Sequence, residues 1–112
     1  MTRFIVEDLA AAGHAAAELH PAARELAARV VAATEPLTDL PDPVIPAAAL
    51  DALVAWRRHA DRIRRAEDAL LLLLSECGAS PRGLGNALSL NRETVARRIE
   101  AARAERIEVT GR

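Results

Sequence analysis

Apolar residues recur at three- and four-residue steps along most of the chain, the spacing that gathers side chains on one side of an α-helix. In residues 4–19 this stripe is formed by Ile5, Leu9, Ala12, Ala16 and Leu19. Pro21 then interrupts it, because proline fits the first turn of a helix but not its interior. The pattern therefore predicts two helices, over residues 4–19 and 21–33, that form an N-terminal helical hairpin within residues 1–34.

Residues 35–46 have a different composition, because four prolines fall within this short span. They are Pro36, Pro41, Pro43 and Pro46. Proline has no backbone N–H to donate, so a continuous helix or a central strand is excluded here. We predict a stiff, partly extended linker that separates the N-terminal module from the rest of the chain.

Neither proline nor glycine occurs from residue 47 to residue 77, which permits one long helix over residues 47–78. Its apolar stripe consists of Ala49, Leu53, Trp56, Ala60, Ile63, Leu70 and Leu74. The steps alternate between four and three residues, as in a heptad repeat, and the stripe is broken only at Glu67. This spacing predicts helix pairing, either with the N-terminal hairpin of the same chain or across a dimer.

Two further helices are predicted in the C-terminal part of the chain. Ser80 is a good N-cap, and Pro81 suits the first position of a short helix over residues 81–88. Asn91 is a second N-cap, and the helix that follows it is predicted over residues 92–104. The sequence thus predicts an all-α protein that ends in three consecutive helices.

The last segment, residues 106–112, has a different pattern. Ile107 and Val109 alternate with polar residues, which is the spacing of a short strand such as the start of a wing in winged helix-turn-helix proteins. A frayed tail is the alternative, and it is the one we expect for residues 106–112.

Several residues of the C-terminal part carry a family resemblance. They are Leu84, Gly85, Leu88, Leu90, Asn91, Thr94, Val95, Arg97 and Ile99. With these residues, the segment 66–105 resembles the helix-turn-helix of bacterial repressors and related three-helix DNA-binding domains. Leu84, Leu88 and Val95 are expected to fill the wedge between the helices, and Gly85 is expected to let them approach closely. The resemblance assigns residues 79–105 to the helix-turn-helix itself.

One residue departs from the family pattern. Ser89 occupies the turn position where such motifs usually have glycine, because the backbone there often has a positive φ. Serine can adopt that conformation at some energetic cost, so Ser89 is the residue of the segment that fits the family pattern least well.

The resemblance implies that the second helix of the motif enters the DNA major groove. The residues that would face the bases are Arg92, Glu93 and Arg97. Those that would lie nearer the phosphates are Asn91, Thr94 and Arg98. Four more arginines are candidates for phosphate contacts outside this helix, namely Arg82, Arg58, Arg62 and Arg65. Arginine suits guanine edges and phosphates, and glutamate can accept a hydrogen bond from cytosine.

The charge distribution agrees with this interpretation. The formal net charge of the chain is only −1. In residues 1–56, however, three arginines face eight acidic residues, which gives −5, whereas residues 57–112 have twelve arginines against eight acidic residues, which gives +4. An acidic half joined to a basic half is a recognised indication that one part contacts nucleic acid.

The sequence therefore predicts a sequence-specific protein that binds double-stranded DNA, acts as a transcriptional regulator and forms a homodimer that reads paired half-sites. A DNA-binding adaptor for plasmid or phage partition, replication or packaging would use the same motif. A helical protein-interaction module without DNA binding is a third hypothesis, in which the acidic N-terminal half docks a protein partner. The location expected is the cytoplasm, with nucleoid association if DNA is bound.

Other kinds of chemistry find little support in the sequence. Cys77 is the only cysteine, so no intramolecular disulfide can form. The three histidines, His14, His20 and His59, have no zinc-motif spacing to each other or to Cys77. We expect no enzyme activity, metal or cofactor and no contact with a membrane. All 15 basic residues are arginine, which favours a GC-rich bacterial, phage or plasmid source.

Overall fold

The structure is a computed structural model that describes residues 2–110, and within this range it has four helices and no strand. The helices are α1 (Leu9–Thr38), α2 (Pro46–Glu76), α3 (Pro81–Leu88) and α4 (Arg92–Thr110). The prediction of an all-α protein is thus confirmed. The molecule is elongated, with extents of 56 × 34 × 22 Å.

The predicted hairpin within residues 1–34 is wrong, because α1 is one continuous helix that contains Pro21 and Pro36. Its N-cap is Asp8, whose carboxylate accepts a hydrogen bond from the Ala11 N–H at 3.0 Å. Each proline removes one donor from the helix, but α1 packs along α2 over most of its length. That packing holds α1 together where local sequence preference would end it.

The hairpin of this molecule is formed by α1 and α2. A short connection, residues 39–45, joins them, so the predicted linker over residues 35–46 is shortened at its N-terminal side. At the opposite end the Ile5 N–H donates to the Gly78 carbonyl at 3.1 Å, and the Cys77 thiol lies 3.9 Å from the Ala12 carbonyl oxygen. The two helices are therefore antiparallel. Cys77 is a free thiol.

The residues of the apolar stripe of α2 differ in their exposure to solvent. Trp56 and Ile63 are half-buried, whereas Leu53 and Ala60 are exposed. Part of the stripe thus packs within the chain, and part of it faces outward.

The residues before α1 form an extended segment and not the first turns of a helix. The Thr2 hydroxyl donates to the Gly83 carbonyl at 3.3 Å, which brings this segment to α3. Gly78 has φ +113°, and a Cβ there would lie 2.5 Å from the Ile5 carbonyl oxygen. The passage of the N-terminal segment over the end of α2 therefore depends on a residue without a side chain at position 78.

The main core lies where the C-terminal end of α2 meets α3 and α4. Its buried residues are Leu71, Leu72, Ala79, Leu84, Val95, Ile99 and Ala102. Leu74 and Leu90 pack against this cluster from its edge. Three short stretches of helix thereby share one apolar interior, which holds α4 against the hairpin.

The predictions of a strand or a frayed tail are wrong for residues 106–110, because α4 continues to Thr110. Arg106 donates to both carboxylate oxygens of Glu76, at 2.6 and 2.9 Å. This ion pair joins the end of α4 to the end of α2 and stabilises the extra helical turn. The remainder of the predicted tail, residues 111–112, lies outside the described residues.

Candidate nucleic-acid interface

The turn between α3 and α4 is short and closely hydrogen-bonded. Ser80 caps α3 by accepting from the Gly83 N–H at 3.0 Å, with Pro81 in the first turn, as the sequence predicts. At the other end of α3, Ser89 has φ 57° and ψ 41°, the left-handed conformation for which such motifs usually have glycine. The Ser89 and Leu90 N–H groups both donate to the Gly85 carbonyl. The serine therefore accepts the strain that a glycine would avoid.

Gly85 is required by the close approach of the turn to α3. A Cβ on this residue would lie 2.7 Å from the Leu90 carbonyl oxygen and 3.4 Å from the Arg92 nitrogen. Both contacts are to backbone, so a side chain could not be accommodated by a change of rotamer. The expectation that Gly85 permits the two helices to approach is confirmed.

Asn91 is the N-cap of α4. Its side-chain oxygen accepts a hydrogen bond from the Glu93 N–H at 2.7 Å. This bond fixes where α4 begins and therefore which residues occupy its first exposed turn.

The packing behind α4 agrees in part with the predicted wedge. Leu84 and Val95 are buried, at 4% and 0% exposure, but Leu88 is 48% exposed. Leu88 is the last residue of α3, where the chain turns away from the core, and Leu90 packs against the core instead. The role predicted for Leu88 is thus taken over by Leu90.

The side chains of Arg92, Glu93 and Arg97 are exposed on the first two turns of α4. None of the three forms an ion pair with any described residue. Val95 and Ile99 anchor the side of the helix opposite Glu93 and Arg97. Arg92 lies at the same angle around the helix as Ile99 and is exposed at the start of α4. The structure therefore presents these two cations and one anion to solvent on a helix that is held in place from behind.

Arg98 does not belong to this exposed group, which corrects its assignment as a phosphate contact. Its side chain is only 8% exposed. The Nε atom donates to the Asp68 carboxylate at 2.5 Å, and Nη2 donates to the Glu67 carboxylate at 2.6 Å. Burial opposes the charge of the guanidinium, but the two hydrogen bonds outweigh it and raise the pKa of Arg98. Arg98 thus fastens α4 to α2.

The sequence contained a signal for this ion pair. Glu67 breaks the apolar stripe of α2, and Asp68 follows it directly. Arg98 lies between Val95 and Ala102 at helical spacing, on the side of α4 that these apolar residues mark as inward. A buried cation there needs an acidic partner, and the two acids on α2 provide it.

The other candidate residues lie in different parts of the molecule. Thr94 is half-buried beside the N-cap of α4, and Arg82 is exposed on α3. Arg58, Arg62 and Arg65 are exposed on α2. Arg65 pairs with Asp61 at 3.3 Å, and Arg62 and Arg65 line a cleft together with Glu25, Arg29 and Glu105. The charges in this cleft are mixed, and Arg29 pairs with Glu25 within it.

Comparison with protein-family models, with curated proteins and with solved structures finds no match to this chain. Among residues 2–110 no helix has the length and apolarity needed to cross a membrane. The same residues contain no group of three His, Cys, Asp or Glu side chains arranged to hold a metal ion.

Proposed function

We propose that this protein binds double-stranded DNA in a sequence-specific way through α4 and acts as a transcriptional regulator. The observation that carries the proposal is the combination of a close turn and an exposed, polar first part of α4. Gly85 and Ser89 fix the angle at which α4 leaves the turn, and the buried side of α4 is held by the core. Glu93 and Arg97 lie on the side that remains open, and Arg92 is exposed at the start of the helix.

The exposed side chains suit the edges of base pairs. Arginine can donate two parallel hydrogen bonds to the O6 and N7 atoms of guanine, and glutamate can accept from the N4 amino group of cytosine. Arg92 and Arg97 together with Glu93 therefore favour a G/C-containing half-site. A carboxylate in this position also repels phosphates, which limits binding to positions where a cytosine amino group faces it.

The phosphate contacts of the proposal flank this group. Arg82 on α3 and the N-cap region at Asn91 and Thr94 lie on either side of the turn. Backbone N–H groups at a helix N-terminus and a nearby cation are suited to hold phosphates and so to set the register of the helix on the duplex.

A second copy of the chain belongs to the proposal, because few base contacts from one helix give modest affinity and specificity. A homodimer would read two half-sites related by the symmetry of the protein. Regulation of transcription and association with the nucleoid follow from the same binding activity.

The test is a mobility-shift assay with fragments from the genomic neighbourhood of the gene, repeated over a salt series. We expect retardation of one fragment and a loss of affinity with rising salt. In the double variant Arg92→Ala with Arg97→Ala the affinity should fall by at least about tenfold, the equivalent of 1.4 kcal/mol. The matched control is Arg24→Ala, an exposed arginine on α1, which should leave the shift unchanged.

The proposal fails if no fragment is retarded, or if the double variant binds as tightly as the parent. Arg98→Ala is unsuitable for this purpose, because it would remove the ion pair that fastens α4 to α2. A loss of binding in that variant would report on folding.

A further inference from the structure

At the end of the hairpin near the connection 39–45, small apolar residues are buried and large apolar residues are exposed. Between the helices the buried residues are small, namely Ala33 at 0% and Ala52 at 4% exposure. Large apolar side chains of the same region are 39–69% exposed, namely Val30, Val31, Leu37, Val44, Ile45, Leu50, Leu53 and Val54. A concentration of this kind is rare on a protein that functions as a monomer and marks a surface that is covered by another molecule.

On α2 these residues belong to a face with a definite order. Leu53, Val54, Arg57 and Arg64 lie three, four, seven and fourteen residues after Leu50, so the five share one side of the helix. All five are exposed. The face is apolar near the connection and basic further along α2.

The charges near the connection have the opposite sign. The acidic residues Glu35, Asp39, Asp42 and Asp51 lie there, and no basic residue occurs from residue 30 to residue 56. Residues 57–65 hold five arginines and one acid. Within residues 2–110 neither the four acids nor Arg57 and Arg64 take part in an ion pair.

We infer that this face binds a second copy of the chain, with the two hairpins antiparallel. In that arrangement the acidic end of one hairpin meets Arg57 and Arg64 of the other, twice per dimer. A parallel arrangement would place acids on acids and arginines on arginines, and like charges in contact oppose association. Charge complementarity therefore selects both the partner and its direction.

The spacing along α2 agrees with this geometry. At a rise of 1.5 Å per residue, Arg57 and Arg64 lie about 17 and 27 Å from the start of α2 at Pro46. Leu53 and Val54 lie about 11 Å from it, halfway between the acidic end and the centre of the basic segment. The two-fold axis of an antiparallel dimer would thus pass between Leu53 and Val54, where the face is apolar. Burial of these side chains supplies the driving force, and the charges set the direction.

The experiment measures molar mass by light scattering and sedimentation equilibrium in the absence of DNA, so its outcome tests the dimer of the proposed function and does not depend on DNA binding. The parent is expected at twice the chain mass of 12.0 kDa. Two charge variants are made, Arg57→Glu with Arg64→Glu, and Asp39→Arg with Asp42→Arg. Each alone places like charges at both contacts, and its dimer should be weaker by at least about tenfold.

The decisive sample is the equimolar mixture of the two variants. In the mixed pair each contact then joins an acidic to a basic segment, so the mixture should return to the dimer mass. The direction is tested by each variant alone, because a parallel pair already places like charges together and would not be weakened by reversal of one segment in both copies. Circular dichroism of each variant alone checks that it is folded. Arg24→Glu, on exposed α1 surface, serves as the control and should leave the mass unchanged.

A monomer mass for the parent at every accessible concentration overturns the inference and leaves the face to a different protein. Charge variants that remain dimeric, or a mixture that remains monomeric, overturn it as well. Leu53→Ser tests the apolar part and should weaken the dimer without loss of helical circular dichroism, because Leu53 is 50% exposed in the isolated chain.

Discussion

The two ends of the α1–α2 hairpin differ in which apolar side chains they bury. At the end that meets α3 and α4, leucine, valine and isoleucine are buried together in one cluster. At the end near the connection 39–45, alanines are buried and the larger apolar residues face outward. The first end forms its own interior within one chain. The second end leaves its larger apolar residues exposed, and this is the surface that we propose binds a second copy of the chain.

The largest expected effect is a difference in stability between two variants, each of which truncates one leucine side chain at one end of the hairpin. Leu71→Ala should lower the free energy of unfolding by about 3 kcal/mol, because Leu71 is 2% exposed and its loss leaves a cavity. Leu53→Ala should lower it by less than about 0.5 kcal/mol at low protein concentration. Urea denaturation at several concentrations measures both.

For Leu53→Ala the loss relative to the parent should grow with protein concentration, because only the parent gains the full stability of the dimer by mass action. A loss of equal size at all concentrations would contradict the distinction between the two ends.

A second pair of variants compares two adjacent arginines of α4. Arg98→Leu should destabilise the fold by about 2–3 kcal/mol, since it leaves the buried Asp68 carboxylate without its cation. Arg97→Ala should change the stability by less than about 0.5 kcal/mol, since Arg97 is exposed. Thermal unfolding followed by circular dichroism measures both. Equal losses in the two variants would mean that the ion pair of Arg98 does not hold α4 on α2.

A third pair of variants tests the turn between α3 and α4, at the end of the hairpin that has the main core. Gly85→Ala should cost about 2 kcal/mol, because its methyl group would meet the Leu90 carbonyl and force the turn open. Gly13→Ala is the control, since nothing lies within 4 Å of a Cβ at that helical position. This second change should be neutral or slightly stabilising. Chemical denaturation of both variants decides between a local packing effect and a general intolerance of alanine.

The smallest expected effect is on how the stability of the protein depends on acidic pH. The hydrogen bond from Arg106 lowers the pKa of Glu76 below its usual value of 4.5 and outweighs the opposing effect of burial. The stability from this pair is therefore complete above about pH 4.5 and is lost as the pH falls through the lowered pKa of the folded state. The loss should be below about 1 kcal/mol, because the pair is partly exposed. Glu76→Gln should remove this part of the acid dependence, measured by urea denaturation between pH 3 and pH 6, a window set by the carboxylate range.

Much of the fold could be predicted from local signals. Ser80 with Pro81 and the N-cap at Asn91 gave the starts of α3 and α4, because capping depends on a few neighbouring residues. The prolines of α1 were misjudged, since their effect is set by contacts with α2 that are distant in sequence.

The candidate site was predictable only in part. Arg97 and Arg98 are identical in type and adjacent, and the choice between solvent and an ion pair depends on which side of α4 faces Glu67 and Asp68. Leu90 has the role predicted for Leu88 for a similar reason, because the exact end of α3 decides which leucine reaches the core. The type of a residue indicates what chemistry is available. Tertiary packing decides which of several residues of the same type are exposed.

For the proposed DNA-binding dimer, the unbroken length of α2 has a consequence for the spacing of half-sites. One helix carries both the outward face at Leu53 and the acids that hold Arg98, so its length would fix the distance between the proposed dimer axis and α4. Each residue inserted between positions 54 and 67 would lengthen this distance by about 1.5 Å and turn the far end of α2 by about 100°. Under that proposal, half-site spacing would change in steps that bring α4 back to the same side of the molecule, such as insertions of seven residues.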